Sequence, residues 1–376
     1  MKKKIFLKKT YFWPIIFLLC LLSVIIFFFS YSKTSSYVNG QNIVKDSPVA
    51  PKYPPLNKAD YDLRMNALAH ISTSTSTSTA TSTIKAGTST STSTSAIKKV
   101  IPAPLWPVKA QYPDDGAILP FKRIIAYYGN FYSKGMGVLG QYPEDQMLSM
   151  LQAEVDKWNA ADPETPALPA LQYIAVTAQG YAGTDKKYRA RMPDDQIDKA
   201  ISLAAKVNGI VILDIQVGQS KLADEIPLLE KYLEMPQVHL AIDPEFAMKP
   251  GQVPGAEYIG TFDAADINYA SNYLAQLVKQ YNLPPKILIV HRFRQYMVTN
   301  YKKIETKPEV QIVMDMDGWG GVKGKISVYQ QYIHDEPVQF TGIKLFYHND
   351  NIGKSVMMTP EQVLNLNPEP IYIQYQ

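Results

Sequence analysis

The sequence predicts an α/β fold, a (β/α)8 barrel of the TIM type, over residues 101–376. Two observations predict it. Short apolar runs alternate with amphipathic helical stretches, which is typical of a parallel sheet. Eight such runs fit into about 275 residues, close to the usual size of these barrels. An open doubly wound sheet is the alternative fold, but its nucleotide-binding versions carry a glycine-rich loop after the first strand that this sequence lacks.

The eight predicted strands are apolar runs bounded by polar or turn-forming residues. They are Arg123–Tyr128, Leu171–Val176, Gly209–Asp214, Val238–Asp243, Lys286–His291, Val310–Asp315, Phe340–Tyr347 and Ile371–Tyr375. Five helices are predicted between them. They are Pro143–Ala160, Pro193–Val207, Ser220–Leu233, Asp263–Tyr281 and Lys325–Ile333. The first two open with a proline followed by acidic residues, which suits the positive end of the helix dipole.

The sequence pattern of the N-terminal region predicts a membrane anchor over residues 1–32. Tyr11–Phe29 is an almost unbroken apolar run, near the ~20 residues that a bilayer requires. Lysines precede this run, so the positive-inside tendency leaves the N-terminus in the cytoplasm and exports the rest. We therefore expect a single-pass protein of the plasma membrane with an extracytoplasmic C-terminal domain. A cleavable signal peptide is the alternative.

The composition of residues 33–100 predicts a disordered Ser/Thr-rich linker. Ser72–Thr79 and Thr88–Ser95 are nearly pure alternations of serine and threonine. Such segments cannot bury enough apolar surface to offset the entropy lost on ordering. Within this region, Leu56–Ile71 could hold a short helix.

The composition excludes several classes of function. The formal net charge is +4, but five lysines among residues 2–9 supply +5, so the rest of the chain sums to −1 (4 − 5). A nucleic-acid partner is therefore not expected. Cys20 is the single cysteine, which excludes an internal disulfide and zinc sites of the finger type. No cofactor is expected.

Polar residues at the carboxyl ends of the predicted strands point to one site, because these ends meet at one mouth of a barrel. The segment VHLAIDPEF ends a strand with Asp243 and Glu245, two residues apart and hence on the same side. Pro244 cannot donate to a sheet ladder, so the strand should end there. A helix-capping Asp with a solvated Glu is the alternative interpretation.

These residue types suit carbohydrate chemistry. Glycoside hydrolysis uses one carboxylic acid to protonate the leaving oxygen and usually a second carboxylate. Glu245 is the predicted acid, because crowding between Asp243 and Glu245 should raise the pKa of one of the two. Asp214 or Asp315 is the predicted second carboxylate. Lys344 inside a barrel would require an acidic partner such as Asp315. The predicted substrate-binding residues are Tyr127, Tyr128, Gln216, His291, Asp317, Trp319, Lys344 and Gln374.

Two resemblances extend this interpretation. The strand-end Asp-x-Glu is similar to the motif of chitinase-type and lysozyme-type glycoside hydrolase barrels. In the chitinase type, the Glu is the acid and the preceding Asp assists the acetamido group of the substrate, positions that Glu245 and Asp243 match. Arg123–Gln376 also resembles a group of uncharacterised exported bacterial proteins and lipoproteins, common in actinobacteria, through segments such as IVILDIQVGQS and LPPKILIVHRF. That resemblance implies export and a role in the cell envelope.

Three functions follow as hypotheses. The first is a membrane-tethered glycoside hydrolase-like barrel that acts on cell-envelope polysaccharide, with Glu245 as general acid. The second is a tethered barrel that binds glycan without catalysis. The third is a metal-dependent hydrolase in which Asp214, Asp243, Glu245 and Asp315 hold Mg²⁺ or Ca²⁺ through oxygen ligands.

Overall fold

The protein is described by a computed structural model covering residues 52–71, 104–255 and 257–376. Eight parallel strands form a closed barrel in which each strand pairs with its neighbours in chain order. β1 pairs with both β2 and β8, which closes the ring and confirms the predicted TIM-type barrel. The strands are β1 (Arg123–Gly129), β2 (Ala167–Ala178), β3 (Ile210–Ile215), β4 (Val238–Ile242), β5 (Lys286–Arg292), β6 (Val310–Met316), β7 (Phe340–Leu345) and β8 (Tyr372–Tyr375).

Helices cover most of the connections between strands. They are α1 (Lys58–Leu68), α2 (Val138–Gln141), α3 (Glu144–Ala161), α4 (Asp194–Lys206), α5 (Leu222–Glu225), α6 (Glu230–Leu233), α7 (Ala264–Tyr281), α8 (Val322–Tyr329) and α9 (Pro360–Leu364). Three short strands lie outside the barrel. Arg189–Arg191 pairs antiparallel with β2, and Phe262–Asp263 pairs with Val298–Thr299.

Two predicted helices differ from those observed. The single helix expected over Ser220–Leu233 is wrong: α5 and α6 are separated by a 3-10 turn at Ile226–Leu229. Pro227 lies in that turn and lacks the N–H that a continuous helix needs. The helix predicted over Lys325–Ile333 begins earlier, at Val322, and continues after Tyr329 as a π-helical turn.

Alternation along the strands divides the apolar residues into two cores. In β4, Val238, Leu240 and Ile242 face the helices, whereas Ala241 faces the barrel interior. The outer core fills the space between the strands and the helix layer. The inner core fills the barrel near the amino ends of the strands and includes Ile124, Ala126, Leu168, Ala170, Ile210, Ile212, Ala241, Ile287, Ile289, Val313, Phe340 and Ile371. The polar interior positions towards the carboxyl ends include Gln172, Asp214, His291, Asp315, Lys344 and Gln374.

α1 closes the amino-terminal end of the barrel. Tyr61 and Met65 are buried and belong to the inner core. The Leu68 carbonyl accepts a hydrogen bond from Glu369 N at 2.7 Å, and Arg64 donates to the Glu164 carbonyl at 3.1 Å. Residues 52–71 are thus folded onto the barrel, although they fall within the predicted linker.

The remaining parts of the predicted linker and the predicted anchor, residues 1–51 and 72–103, lie outside the described residues. Within the described ranges, no helix combines the length and apolar character required to span a bilayer.

Met65→Ala is expected to lower the free energy of unfolding by about 2 kcal/mol, because this side chain is 7% exposed and packs in the inner core. Leu63→Ala in the same helix is the control, since Leu63 is 54% exposed. The control should change the free energy by less than about 0.5 kcal/mol. Urea denaturation of the full-length protein measures both values. Equal effects would contradict the docking of α1.

Candidate active site at the carboxyl end of the barrel

A cleft of about 710 Å³ lies at the carboxyl ends of the strands. Its floor is polar and its rim contains several aromatic side chains. The lining residues are Tyr128, Gly135, Met136, Ile174, Ala178, Gln216, Asp243, Glu245, Phe246, Phe293, Arg294, Asp317, Gly318, Trp319, Val328, Lys344, Phe346 and Gln376. Three carboxyl groups therefore reach the cleft, from the ends of β4 and β6.

Below the cleft, His291 on β5 links carboxylates that come from β3 and from the end of β6. Its Nε2 lies 2.8 Å from Asp214 Oδ2. Its Nδ1 lies 3.1 Å from Asp315 Oδ2 and 3.2 Å from Asp317 Oδ2. Because both ring nitrogens face carboxylate oxygens, the ring can donate from both only as the imidazolium. His291 is therefore a buried cation.

The pKa values of His291 and Asp317 support this charge assignment. Burial alone would lower the pKa of His291, but Asp214 above all, together with Asp315 and Asp317, raises it well above its ordinary value. Burial alone would raise the pKa of Asp317. Lys344 and His291 outweigh that effect and hold this pKa below its ordinary value. Asp317 is thus an ionised carboxylate at neutral pH.

The pKa values of Glu245 and Asp243 are raised, whereas that of Asp317 is lowered. Burial, and then repulsion from Asp317, raises the pKa of Glu245 to about 7. Burial also raises the pKa of Asp243 well above its ordinary value, with Glu245, Asp214 and Asp317 adding repulsion. Asp243 Oδ1 accepts a hydrogen bond from Glu245 N at 2.9 Å, which fixes the turn after β4. Glu245 can therefore carry a proton near neutral pH.

Lys344 supplies the second buried cation, and its partner differs from the one expected. Its Nζ lies 3.0 Å from Asp317 Oδ1 and 3.9 Å from the centre of the Tyr128 ring. The expectation that Asp315 pairs with Lys344 is wrong, because Asp315 lies deeper and contacts His291. The Tyr128 hydroxyl in turn accepts a hydrogen bond from Gln216 at 3.2 Å.

The predicted site residues separate into three groups. Tyr128, Gln216, Asp243, Glu245, Asp317, Trp319 and Lys344 line the cleft. Asp214, Asp315, His291 and Gln374 lie beneath it and are fully buried. Tyr127 faces the helix layer, where its hydroxyl lies 2.9 Å from that of Tyr347. Adjacent residues of a strand point to opposite faces, so Tyr127 and Tyr128 cannot both reach the interior.

The burial of Asp214 and Asp315 changes the choice of second carboxylate. Both are fully shielded from solvent and contact His291 instead of the cleft. Asp317 reaches the cleft and stays ionised, so it is better placed than either of them.

Sequence reasoning missed Gln172 and Phe246. Gln172 on β2 donates to Asp214 Oδ2 at 2.5 Å and accepts from the Tyr372 hydroxyl, which also accepts from Gln374. Its signal was a polar residue at an inward position of a predicted strand. Phe246 lines the cleft from the turn after β4, where no strand alternation indicates direction.

The acids at this end are not arranged as a metal site. Across residues 52–71, 104–255 and 257–376, no group of three or more His, Cys, Asp or Glu side chains has the geometry to hold a metal ion. Asp214, Asp315 and Asp317 have His291 as their common partner.

Comparisons with known proteins give structural neighbours only. No family model matches the chain, and no curated protein matches it. A ruminal GH26 endo-beta-1,4-mannanase aligns at 13% identity and TM-score 0.34, covering 68% of this chain and 59% of that one. A putative alpha-L-fucosidase from Bacteroides thetaiotaomicron aligns at 12% identity and TM-score 0.35, covering 72% and 91%. The Bacillus subtilis mannanase BCman aligns at 11% identity and TM-score 0.31, covering 69% and 81%.

The chain thus spans less than two thirds of the length of the GH26 mannanase. Because these TM-scores and identities are low, the alignments do not establish a family or a function. The barrel rests on the strand pairing of the chain itself. The resemblance to exported bacterial proteins stays a prediction.

Glu245→Gln is expected to stabilise the protein at pH 8 more than at pH 5. With its pKa raised from 4.5 to about 7, Glu245 contributes stability that is fully present below pH 4.5 and lost as the pH rises through about 7. The rise in the pKa of Glu245 corresponds to a loss of at most about 3 kcal/mol in the free energy of unfolding. Because Glu245 is partly accessible to solvent, the gain expected from Glu245→Gln at pH 8 is about 2 kcal/mol. Urea denaturation at the two pH values measures it.

Glu164→Gln is the control for this experiment, since Glu164 is exposed at the opposite end of the barrel. Glu164→Gln should change the free energy of unfolding by the same amount at both pH values. A Glu245→Gln variant with no pH-dependent gain would show that Glu245 ionises as an ordinary carboxyl group.

Proposed function

We propose that this protein hydrolyses glycosidic bonds in a glycan that binds across the barrel mouth. One observation carries the proposal: two carboxyl groups in the same cleft, Glu245 and Asp317, have pKa values displaced in opposite directions. Such a divided pair supplies an acid and an ionised carboxylate at the same pH. Glycosidases of the common two-carboxylate type require this combination.

Glu245 has the role of general acid in the proposed reaction. Near neutral pH its carboxyl group holds a proton, which passes to the glycosidic oxygen as the bond from that oxygen to the anomeric carbon breaks. Asp317 supplies the negative charge that stabilises the oxocarbenium-like transition state, either as nucleophile or as base for the attacking water. In the first route, Glu245 takes a proton from the water that adds to the anomeric carbon, and Asp317 leaves that carbon as a carboxylate. In the second route, Asp317 takes that proton and passes it to solvent, and Glu245 is reprotonated from solvent.

The rim of the cleft supports a sugar ligand. Trp319 is 64% exposed in the loop after β6, and Phe293 lies in the loop after β5. Exposed aromatic faces stack on the apolar faces of sugar rings, while amide groups such as Gln216 hydrogen-bond to hydroxyls. Trp319, a large exposed aromatic side chain at the edge of a polar cleft, suits this use.

The proposal includes the location predicted from the sequence. Tyr11–Phe29 would anchor the chain in the plasma membrane and place the barrel outside the cytoplasm. The glycan within reach would then be a polysaccharide of the cell envelope.

A second candidate function is glycan binding without catalysis. Asp317 favours it, because this carboxylate already contacts Lys344 at 3.0 Å and His291 at 3.2 Å. A carboxylate with two cationic partners is a weaker nucleophile and base than a free one. Such a barrel would bind the same glycans and release no product.

Full-length protein is expected to generate new reducing ends from one of several glycans: peptidoglycan, β-linked gluco-oligosaccharides or chito-oligosaccharides. Mass spectrometry of the soluble products measures this. Glu245→Gln and Asp317→Asn should each lower the rate by about 10²- to 10⁴-fold, the usual contribution of such groups. The rate should fall as the pH rises above about 7, because Glu245 then loses its proton.

Glu164→Gln again serves as the control and should retain the wild-type rate. Thermal unfolding of each variant separates loss of chemistry from loss of folding. Unchanged turnover in folded Glu245→Gln would refute the role of Glu245. Binding of a glycan with no product from any substrate would favour the non-catalytic barrel.

The location is tested separately in a bacterial host that expresses the full chain with a C-terminal tag. Protease added to intact cells is expected to remove the tag from the membrane fraction and leave a cytoplasmic marker intact. A protected tag, or a tag found in the soluble cytoplasmic fraction, would contradict the proposed orientation.

A further inference from the structure

A second pocket of about 420 Å³ adjoins the cleft. Gly135, Phe346 and Gln376 line both, so the two pockets adjoin, and we call them together the groove. We call the second part the side pocket. It is lined by Lys134, Gly135, Gly137, Gln141, Tyr142, Phe346, Tyr347, His348, Asn349 and Gln376. A ligand longer than one sugar unit can therefore continue from the cleft into it.

The side pocket differs from the cleft in charge. Its lining contains Lys134 and His348 but no aspartate or glutamate. Lys134 is exposed and forms no ion pair with any of the described residues. The cleft, by contrast, contains three carboxyl groups and two cations: Lys344 already pairs with Asp317, and Arg294 follows β5, on the far side of the ring from β1. Lys134 is thus a cation still available to a ligand.

The order of the strands places the side pocket across the mouth from the centre of the acidic cluster. Lys134 follows β1, and β1 lies opposite β5 in the closed ring of eight strands. Glu245 and Asp317 follow β4 and β6, the two neighbours of β5. A glycan that presents one linkage to Glu245 would therefore extend towards β1 with its adjacent sugar units.

The wall of the side pocket is held in place from behind. The Tyr347 hydroxyl donates to Glu154 Oε1 at 3.0 Å and lies 2.9 Å from the Tyr127 hydroxyl. Glu154 is in turn paired with Lys157 at 2.8 Å. The Tyr347 ring also stacks on Tyr375. The pocket thus presents a fixed aromatic surface beside an exposed cation, with the amides of Gln141 and Asn349 nearby.

We propose that the side pocket is a subsite for a sugar unit that carries a carboxylate, so that the substrate class is an acidic glycan. The inference rests on the proposed function for the direction of the ligand. A carboxylate on the substrate would be attracted by Lys134 in the side pocket, whose lining contains no aspartate or glutamate to compete for that cation. Lys134 therefore selects for an anionic group on a sugar unit that lies beyond the cleaved bond, in the side pocket.

Binding to folded full-length Glu245→Gln tests this without requiring turnover. The probes are chitotetraose, which is neutral, and the muramyl tetrasaccharide of the same backbone, whose lactyl groups carry carboxylates. Tetragalacturonate and its methyl ester form a second pair, which distinguishes a uronate from a lactyl group. Isothermal titration at low salt should show about three- to tenfold tighter binding of one acidic probe than of its neutral counterpart.

Adding Lys134→Gln should abolish this preference and leave the affinity for the neutral probe unchanged. Lys206→Gln is the matched control, since Lys206 is an exposed lysine at the end of α4, on the opposite face of the barrel. The preference should also shrink in 0.5 M salt, where the screening length is only about 4 Å.

Equal affinity for both members of each pair would overturn the proposal, as would a preference that survives Lys134→Gln. These outcomes are independent of catalysis. If the variant binds neutral and acidic glycans equally and the wild-type protein hydrolyses them, the proposed function stands and the subsite is refuted. Selective binding of an acidic glycan without hydrolysis would support the subsite and remove the catalytic role.

Discussion

The barrel mouth depends on counter-charges for carboxylates that have been removed from water. Asp214, Asp315 and Asp317 converge below and beside the cleft, and an unpaired buried carboxylate would cost several kcal/mol. His291 on β5 contacts one oxygen of each, because its Nε2 faces Asp214 on β3 and its Nδ1 faces Asp315 and Asp317 at the end of β6. Lys344 adds the second positive charge. The arrangement of acids at the mouth therefore depends on one imidazole.

Much of this architecture could be predicted from the sequence, because two simple rules apply. Parallel strands end at the same edge, and residues two apart share a face. These rules brought Asp243, Glu245, Asp317 and Lys344 to one mouth, where the structure places them. The eight apolar runs similarly correspond to the eight barrel strands.

Depth within the barrel could not be predicted in this way. Alternation distinguishes inside from outside, but the stagger of neighbouring strands decides how far from the mouth an inward residue lies. Asp315 and Asp317 share a face of β6, yet only Asp317 reaches the cleft. The same limit hid the role of Gln172, and the choice of Asp317 as partner for Lys344. Loop aromatics such as Phe246 follow no strand period at all.

The docking of α1 also shortens the segment that can separate the predicted membrane anchor from the barrel. Ala69 and Trp106, which flank residues 72–103, line the same small pocket, so this segment begins and ends at one place on the folded unit. In the proposed topology, only residues 33–51 then separate the anchor from the barrel. These are about 20 residues, which span roughly 70 Å at most, whereas all of residues 33–100 could span roughly 240 Å. The barrel would therefore sample only the layer of envelope closest to the membrane.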